Sequence, residues 1–547
     1  MSIIKIHPSD NVWIALEDLP AGAQIRADEH TISVKEPIKS KHKIADQDFD
    51  IEDPIIMYGT TVGRATTSIP AGFGIHTHNI RHDTSDVQIK PNQHTAWQAP
   101  DISGLETMTF PGYPRSGGEF GTRNYWLVIP LVFCENRNIR ILQESLLGSL
   151  GYDDHRRQRI DVAPLIDAYR AGLRDFDETS LNQATTRDNE DRVFPNVDGI
   201  KFLTHEGGCG GTKEDSDMLC RLLATYINHP NVGGATVLSL GCQNAQIDHL
   251  KSHLNSLNPH QDKPVFYFEQ QASLSERAFI ENILKKTFEG LAEIDQIARQ
   301  PAPLSKINLG LECGGSDGFS GISANPALGF TSDLLVGLGG RAILSEFPEL
   351  HGAEQEMVDR CETRQLAEKF LFLMNQYQSR ARRDGSSFEA NPSPGNIKDG
   401  LITDAIKSLG AARKGGTSPI RGVLDYGEVA TKPGLHLLCT PGNDVESTTG
   451  LASAGSNVIV FTTGLGTPTG NAVAPTLKIS TNTSLATRMT DLIDLDAGAI
   501  INGEETIESV GRKLLRLIVE TASGRTISAA ERLGQDDFIP WKRGISL

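Results

Sequence analysis

From Gly121 onward the chain repeats one pattern. A short, near-continuous apolar run stops at glycines and reactive side chains, and a stretch of helical periodicity follows. The runs lie at 126–134, 200–203, 235–240, 307–311, 342–344, 434–438, 457–461 and 477–480. A strand that is apolar at consecutive positions buries both of its faces, which is the signature of a parallel sheet covered by helices on either side. An α/β fold with parallel sheets of the doubly wound type is therefore expected. Sheets of that kind hold ligands beyond the carboxyl ends of their strands.

Those ends carry chemistry in this chain. They present Cys134, His205 and Cys209 (in HEGGCGG), Cys242 (GCQN), Cys313, Ser316 and Asp317 (ECGGSDG), Glu346 (SEFPE), and Cys439 and Asp444 (CTPGND). The stretch 308–329 is the richest: an apolar run, a glycine turn with a thiol, a hydroxyl and a carboxylate, then an apolar helical segment. A glycine pair alone is an ordinary tight turn. It is the recurrence at successive strand ends that points to one shared site. Of the seven cysteines, Cys220 and Cys361 fall inside helical patterns and are assigned to packing. The odd number, the wide spacing and the lack of a CxxC argue against a disulfide framework and a structural zinc motif.

Residues 1–95 read as a small β-rich domain with turns at LPAG (19–22) and IPAG (69–72). It ends in GIHTHN. His76 and His78, at i and i+2, point the same way on an extended strand and can then chelate one metal; on any other backbone they are surface histidines. Residues 96–118 are rich in proline and glycine and read as a linker, 119–390 as an α/β catalytic domain, and 391–547 as a C-terminal α/β domain. A net charge of −17 with no basic stripe excludes nucleic acid and anionic membrane as partners. No apolar run approaches a membrane span, and the first residues lack a secretory h-region, so a cytoplasmic location is expected. GxxxxGK[ST] is absent, and GLGTPTG at 464–470 lacks its acidic partner, so no nucleotide cofactor is expected.

Taken together, GTRNYWLVIPLVFC, HEGGCG, LGCQN, ECGGSDGFSGISANPALG, SEFPELHGAE and FTTGLGTPTGNAVAPTLKISTNT resemble the altronate/galactarate dehydratase family, over nearly the whole chain and in the same order. The N-terminal region with GIHTHN resembles the SAF-type domain of these enzymes. SEFPELHGAE and the FIPWKRG ending are more similar to the altronate branch. The stretch 176–196 departs from shorter members and bears on fine specificity. The resemblance implies a lyase that converts a sugar acid, D-altronate first and galactarate as the alternative, to a 2-keto-3-deoxy acid in hexuronate breakdown. It implies Fe(II) as cofactor, with Mn(II) or another divalent metal as substitutes.

The chemistry fits these residue types. The proton α to a carboxylate is weakly acidic, so its removal needs a base and strong positive stabilisation of the enediolate. A divalent metal supplies the latter as a Lewis acid. His76, His78, Cys209, Cys242 and Cys313 are the candidate metal ligands, a mixed N/S set that suits Fe(II). His205 and Glu346, with His76 and His78, are the candidate acid and base groups. Arg123, Asn124, Ser316, Asp317 and Asp444 are the candidate substrate binders. An iron–sulfur cluster on Cys209, Cys242 and Cys313 is a second reading, and a non-catalytic binding protein a third. Homo-oligomerisation is left open.

Overall fold

The structure, a computed structural model, describes residues 2–27, 30–84, 87–89, 97–152, 160–181, 192–260, 262–388 and 391–544. Part of the divergent 176–196 stretch, and of the segment joining the first two regions, lies outside the described residues.

The first region is β-rich, as expected. Ile3–Ile4, Val12–Ala15, Lys43–Ala45 and Gly74–Ile75 form one antiparallel sheet, and Pro54–Met57, Thr60–Ala65 and Ile80–Arg81 another. The strand expected to carry both histidines stops at Ile75. His76 and His78 instead sit on a turn held by Asn79, whose Oδ1 accepts the His76 N–H (2.7 Å) and whose Nδ2 donates to Gly74 O (3.0 Å). The turn still sets the two rings face to face, 5.3 Å apart.

The expected linker is not free chain. Thr109–Pro114 pairs antiparallel with Phe120–Gly121 and with Gln300–Pro303, and Phe110 is fully buried. Two parallel sheets follow. The middle sheet contains β1 (Tyr125–Pro130), β2 (Gly199–Phe202), β3 (Val232–Ser239) and β4 (Val265–Glu269) in the order β2–β1–β3–β4. The last sheet contains β5 (Asn308–Cys313), β6 (Arg341–Leu344), β7 (Ile420–Leu424), β8 (Gly434–Leu438), β9 (Val458–Thr463), β10 (Thr476–Ser480) and β11 (Leu495–Asp496). Their order is β7–β8–β6–β5–β9–β10–β11.

β1, β3, β5, β6, β8, β9 and β10 are buried at every position, as strands of a sheet covered on both faces are, and this takes in Arg341, His436 and Lys478. The domain division therefore needs correction. The last sheet draws strands from both sides of residue 390, so the break falls before β5 and not at 390. The two sheets are joined through helix α1 (Lys213–Asn228), started by Thr212, whose hydroxyl accepts the Asp215 N–H. Thr225 on α1 meets Ser453 at 2.8 Å, and His229 and Asn231 bond the main chain of Ser456 and Asn457. No helix among the described residues is long and apolar enough to cross a membrane.

Candidate active site

The two sheets divide the strand-end residues that the sequence groups together. Cys134, Cys209 and Cys242 follow strands of the middle sheet, while Cys313, Glu346, Cys439 and Asp444 follow strands of the last one. Cys209 and Cys242 therefore do not share a ligand set with Cys313.

At the ends of β5 and β6 the chain builds a buried charged cluster. Glu346 has left-handed backbone (φ +67°), a conformation strained for a residue with a Cβ, and its N–H is held by Thr440 Oγ1 at 2.8 Å. This turn swings its carboxylate back toward β5, where Oε2 accepts the Cys313 N–H at 3.2 Å. Lys414, 1% exposed, donates from Nζ to Glu346 Oε2 (2.7 Å) and to Cys313 Sγ (2.8 Å). Cys313 Sγ in turn lies 3.2 Å from Glu349 Oε2, and Lys407 donates to Glu349 Oε1 at 2.6 Å. Behind them Glu312 is fully buried and receives Ser345 (2.8 Å) and Ser447 (2.6 Å) hydroxyls on one oxygen.

Burial, then repulsion by Glu346, drives the Glu312 carboxyl well above its usual range, which favours its protonated form beside Glu346. Burial also raises Glu346, and Glu349 adds to this while Lys414 opposes it. For Glu349 burial acts upward, but the two lysines win and its carboxyl stays low. Burial raises the Cys313 thiol well above its usual range; burial also acts to lower Lys414, but Cys313, Glu346, Glu312 and Glu349 around it outweigh this and raise it well above its usual value.

Asp444, first residue of helix α3 (Asp444–Ser453), overlooks this cluster. A Cβ on Gly314 would fall 2.4 Å from Asp444 Oδ2, so only glycine lets the β5 turn pass so close. Burial, with repulsion from Glu346 and Glu349, pushes the Asp444 carboxyl up to about 7.

The N-terminal domain closes over the same edge. Asp317, fully buried, accepts from Thr481 Oγ1 (2.9 Å) and Asn482 Nδ2 (3.2 Å) and pairs with Lys41 Nζ at 3.0 Å. Lys41 also reaches Asp399 (3.0 Å), and buried Lys43 donates to Gly400 O (2.5 Å), burial pushing its ammonium down to about 7. His42 bonds Lys398 O (3.1 Å) and stands near His76, which is itself held by Glu36 (3.0 Å).

Two groups of side chains among the described residues bring three metal-binding atoms within 4.8 Å of one another. The first, Cys313–Glu346–Glu349, already holds a cation, the Lys414 ammonium, and does not suit a metal. The second joins His82 of the N-terminal domain to His351 and to Asp404, the first residue of helix α2 (Asp404–Ala412). His82 Nδ1 touches Asp404 Oδ1, and His351 Nε2 lies 3.8 Å from Asp404 Oδ2, a buried oxygen that makes no hydrogen bond. Glu354 holds the other nitrogen of His351 at 2.9 Å. Two imidazoles and one carboxylate, with a second carboxylate orienting a ring, are a donor set suited to Fe(II). Asp404 and Lys407 are three apart on α2, so the triad and the charged cluster lie on one helix face.

Several expected site residues sit elsewhere. Arg123 and Asn124 precede β1 and so lie at the amino end of the middle sheet. There Arg123 clamps Glu531 (2.8 and 3.0 Å), while Asn124 bonds Asn196 O and Ile294 O. His205 is buried with both nitrogens engaged: Nε2 donates to Pro130 O (2.7 Å), and Nδ1 accepts the Gly207 N–H (3.1 Å). Burial pushes its pKa down to about 4, which leaves it a neutral loop tie. Ser316 is buried, with its carbonyl held by Asn396 at 2.7 Å. Sequence reasoning missed Lys407, Lys414, Glu312, Glu349, His82, His351, Asp404 and Lys41. Glu349 and His351 lie in the quoted SEFPELHGAE stretch; the lysines carry no signal beyond the Gly-Gly that follows Lys414.

Comparison with known proteins agrees with this architecture. Residues 1–83 match the altronate/galactarate dehydratase SAF domain. Residues 112–295 match the D-galactarate dehydratase/altronate hydrolase second domain, and 304–546 the D-galactarate/altronate dehydratase C-terminal domain. The chain is 35% identical over 546 residues to an altronate dehydratase of Bacillus subtilis (strain 168), and 33% over 551 residues to one of Escherichia coli (strain K12); each alignment covers 100% of both chains. It is also 33% identical over 543 residues to the galactarate dehydratase (L-threo-forming) of Escherichia coli (strain K12), covering 97% of this chain and 94% of that one. The chain belongs to the altronate/galactarate dehydratase family.

Proposed function

We propose that this chain is a cytoplasmic hydro-lyase that dehydrates a sugar acid, D-altronate before galactarate, to the 2-keto-3-deoxy acid. The observation that carries this reading is the charged edge of the last sheet beneath the N-terminal domain. A carboxylic acid poised near neutrality stands there beside a buried, proton-sharing Glu312–Glu346 pair. Asp444, its carboxyl lifted by burial to about 7, is matched to removing the α-proton. The proton shared by Glu312 and Glu346 serves the departing 3-hydroxyl. Lys41 and the His76–His78 turn belong to the roof over Asp317, where hydroxyls and the carboxylate of a small polar substrate need partners and bulk water must be shut out.

His82, His351 and Asp404 would hold Fe(II), which when bound supplies Lewis-acid polarisation of substrate oxygens. This set replaces the one read from sequence, because His76, His78, Cys209, Cys242 and Cys313 are spread over three separate places. The test is to incubate purified protein with Fe(II) and a reductant against a panel of aldonates and aldarates and to measure 2-keto-3-deoxy acid. Product from D-altronate is expected. Product from galactarate alone would move the reading to the sister branch, and product from none would end it.

A further inference from the structure

Cys134, Cys209 and Cys242 remain outside the site described above. They follow β1, β2 and β3, three neighbouring strands, and their loops are tied by main-chain hydrogen bonds. Phe133 N–H donates to Gly207 O (3.1 Å), and the Asn244 and Ala245 N–H groups both donate to Gly208 O (3.0 and 3.1 Å). Gly208 makes this possible, because at φ +95° a Cβ would fall 2.0 Å from Leu131 O. His205 completes the frame by linking Pro130 to Gly207.

The three thiols are exposed, whereas Cys220, Cys313, Cys361 and Cys439 are buried. Cys209 and Cys242 are close enough to raise the Cys134 pKa, after its partial burial. Yet the three sulfurs do not all come within 4.8 Å of one another. One tetrahedral ion with metal–sulfur bonds of about 2.3 Å draws its ligands tighter than that. A cluster that gives each thiolate its own iron spaces them more widely. Gln271 Nε2–H already points at Cys242 Sγ (3.3 Å), a type of hydrogen bond that tunes iron–sulfur centres.

We infer that Cys134, Cys209 and Cys242 ligate an iron–sulfur cluster of the [4Fe–4S] type. Three irons take one thiolate each, and the fourth is left open toward solvent for an oxygen ligand. The cluster reading made from sequence thus moves to the middle sheet, with Cys134 in place of Cys313.

The test uses the full chain, purified and reconstituted anaerobically with iron, sulfide and a thiol reductant. The readouts are iron and acid-labile sulfide per chain, visible charge-transfer absorption, and paramagnetic resonance after reduction. About four irons and four sulfides at this site are expected. Cys134→Ser, Cys209→Ser and Cys242→Ser should each bring sulfide to background, while Cys361→Ala keeps it. Should a serine variant misfold, alkylation of the wild type decides: cluster loading must protect these three thiols. Wild-type protein without labile sulfide, sulfide retained in the triple variant, or equal labelling of loaded and unloaded protein would each overturn the inference. None of these readouts depends on dehydratase activity, so a failure of the proposed reaction is told apart from a failure here.

Discussion

Replacing Lys414 by methionine removes the cation that touches both Glu346 and Cys313 while keeping the volume of the side chain. Lys414 and Glu346 are each 1% exposed, so water cannot take the place of the ammonium. Breaking a buried pair by deleting one partner costs ~3–5 kcal/mol, because the remaining charge is stranded. The cheapest response here is for Glu346 to take up a proton. From its ordinary value of 4.5, that costs about 3 kcal/mol at pH 7, at roughly 1.4 kcal/mol per pH unit. For a domain of this size the loss corresponds to a fall in Tm of about 6–12 °C. The sign with pH follows from proton counting. In the variant Glu346 is protonated when folded and ionised when unfolded, so the folded state binds more protons, and stability returns as pH falls from 7 toward 4.5. Calorimetric scans of wild type and Lys414→Met at several values from pH 5 to 8 measure this directly. Adding Glu346→Gln to the variant should recover most of the loss at pH 7. A variant as stable as wild type, or a deficit that does not shrink toward pH 5, would show that Lys414 does not neutralise a stranded Glu346.

Asp444→Asn should lower kcat by about 10²-fold or more, and the wild-type rise in kcat as pH passes upward through about 7 should vanish with it, read from a pH–rate profile. His76→Ala and His78→Ala should each lower kcat about 10²-fold while the protein stays folded, checked by turnover alongside circular dichroism. His82→Ala, His351→Ala and Asp404→Asn should each lose bound Fe(II), measured as metal content after desalting, with labile sulfide unchanged. Lys41→Ala should loosen the N-terminal domain from the Asp317–Asp399 edge, seen as faster proteolysis between the first and last regions.

The parallel sheets were legible because most of their strands are short apolar runs with both faces buried, and 307–311 and 434–438 fall within two residues of β5 and β8. The strand ends were legible for the same reason, and Glu346, Asp317 and Asp444 do meet at one edge. Which edge each residue belongs to was not legible. Cys242 and Cys313 follow runs of the same kind, and only strand order separates their sheets. Arg123 and Asn124 look like a polar motif beside a strand, but strand direction puts them at the end away from the site. The buried lysines were hidden because a lysine in ARKGG or KHK reads as solvated surface until the fold surrounds it with carboxylates. His82 and Asp404 lie far apart in sequence, and their meeting depends on how the N-terminal domain docks.

If the reaction occurs at the edge of the last sheet, beneath the N-terminal domain, the substrate binds there. The most direct measurement is a crystal structure of the Asp444→Asn variant soaked with D-altronate and Fe(II). The sugar acid is expected between the β5 turn and the N-terminal domain, its C2 hydrogen facing residue 444, with iron on His82, His351 and Asp404. Substrate bound instead at the Cys134–Cys209–Cys242 edge of the middle sheet would contradict this.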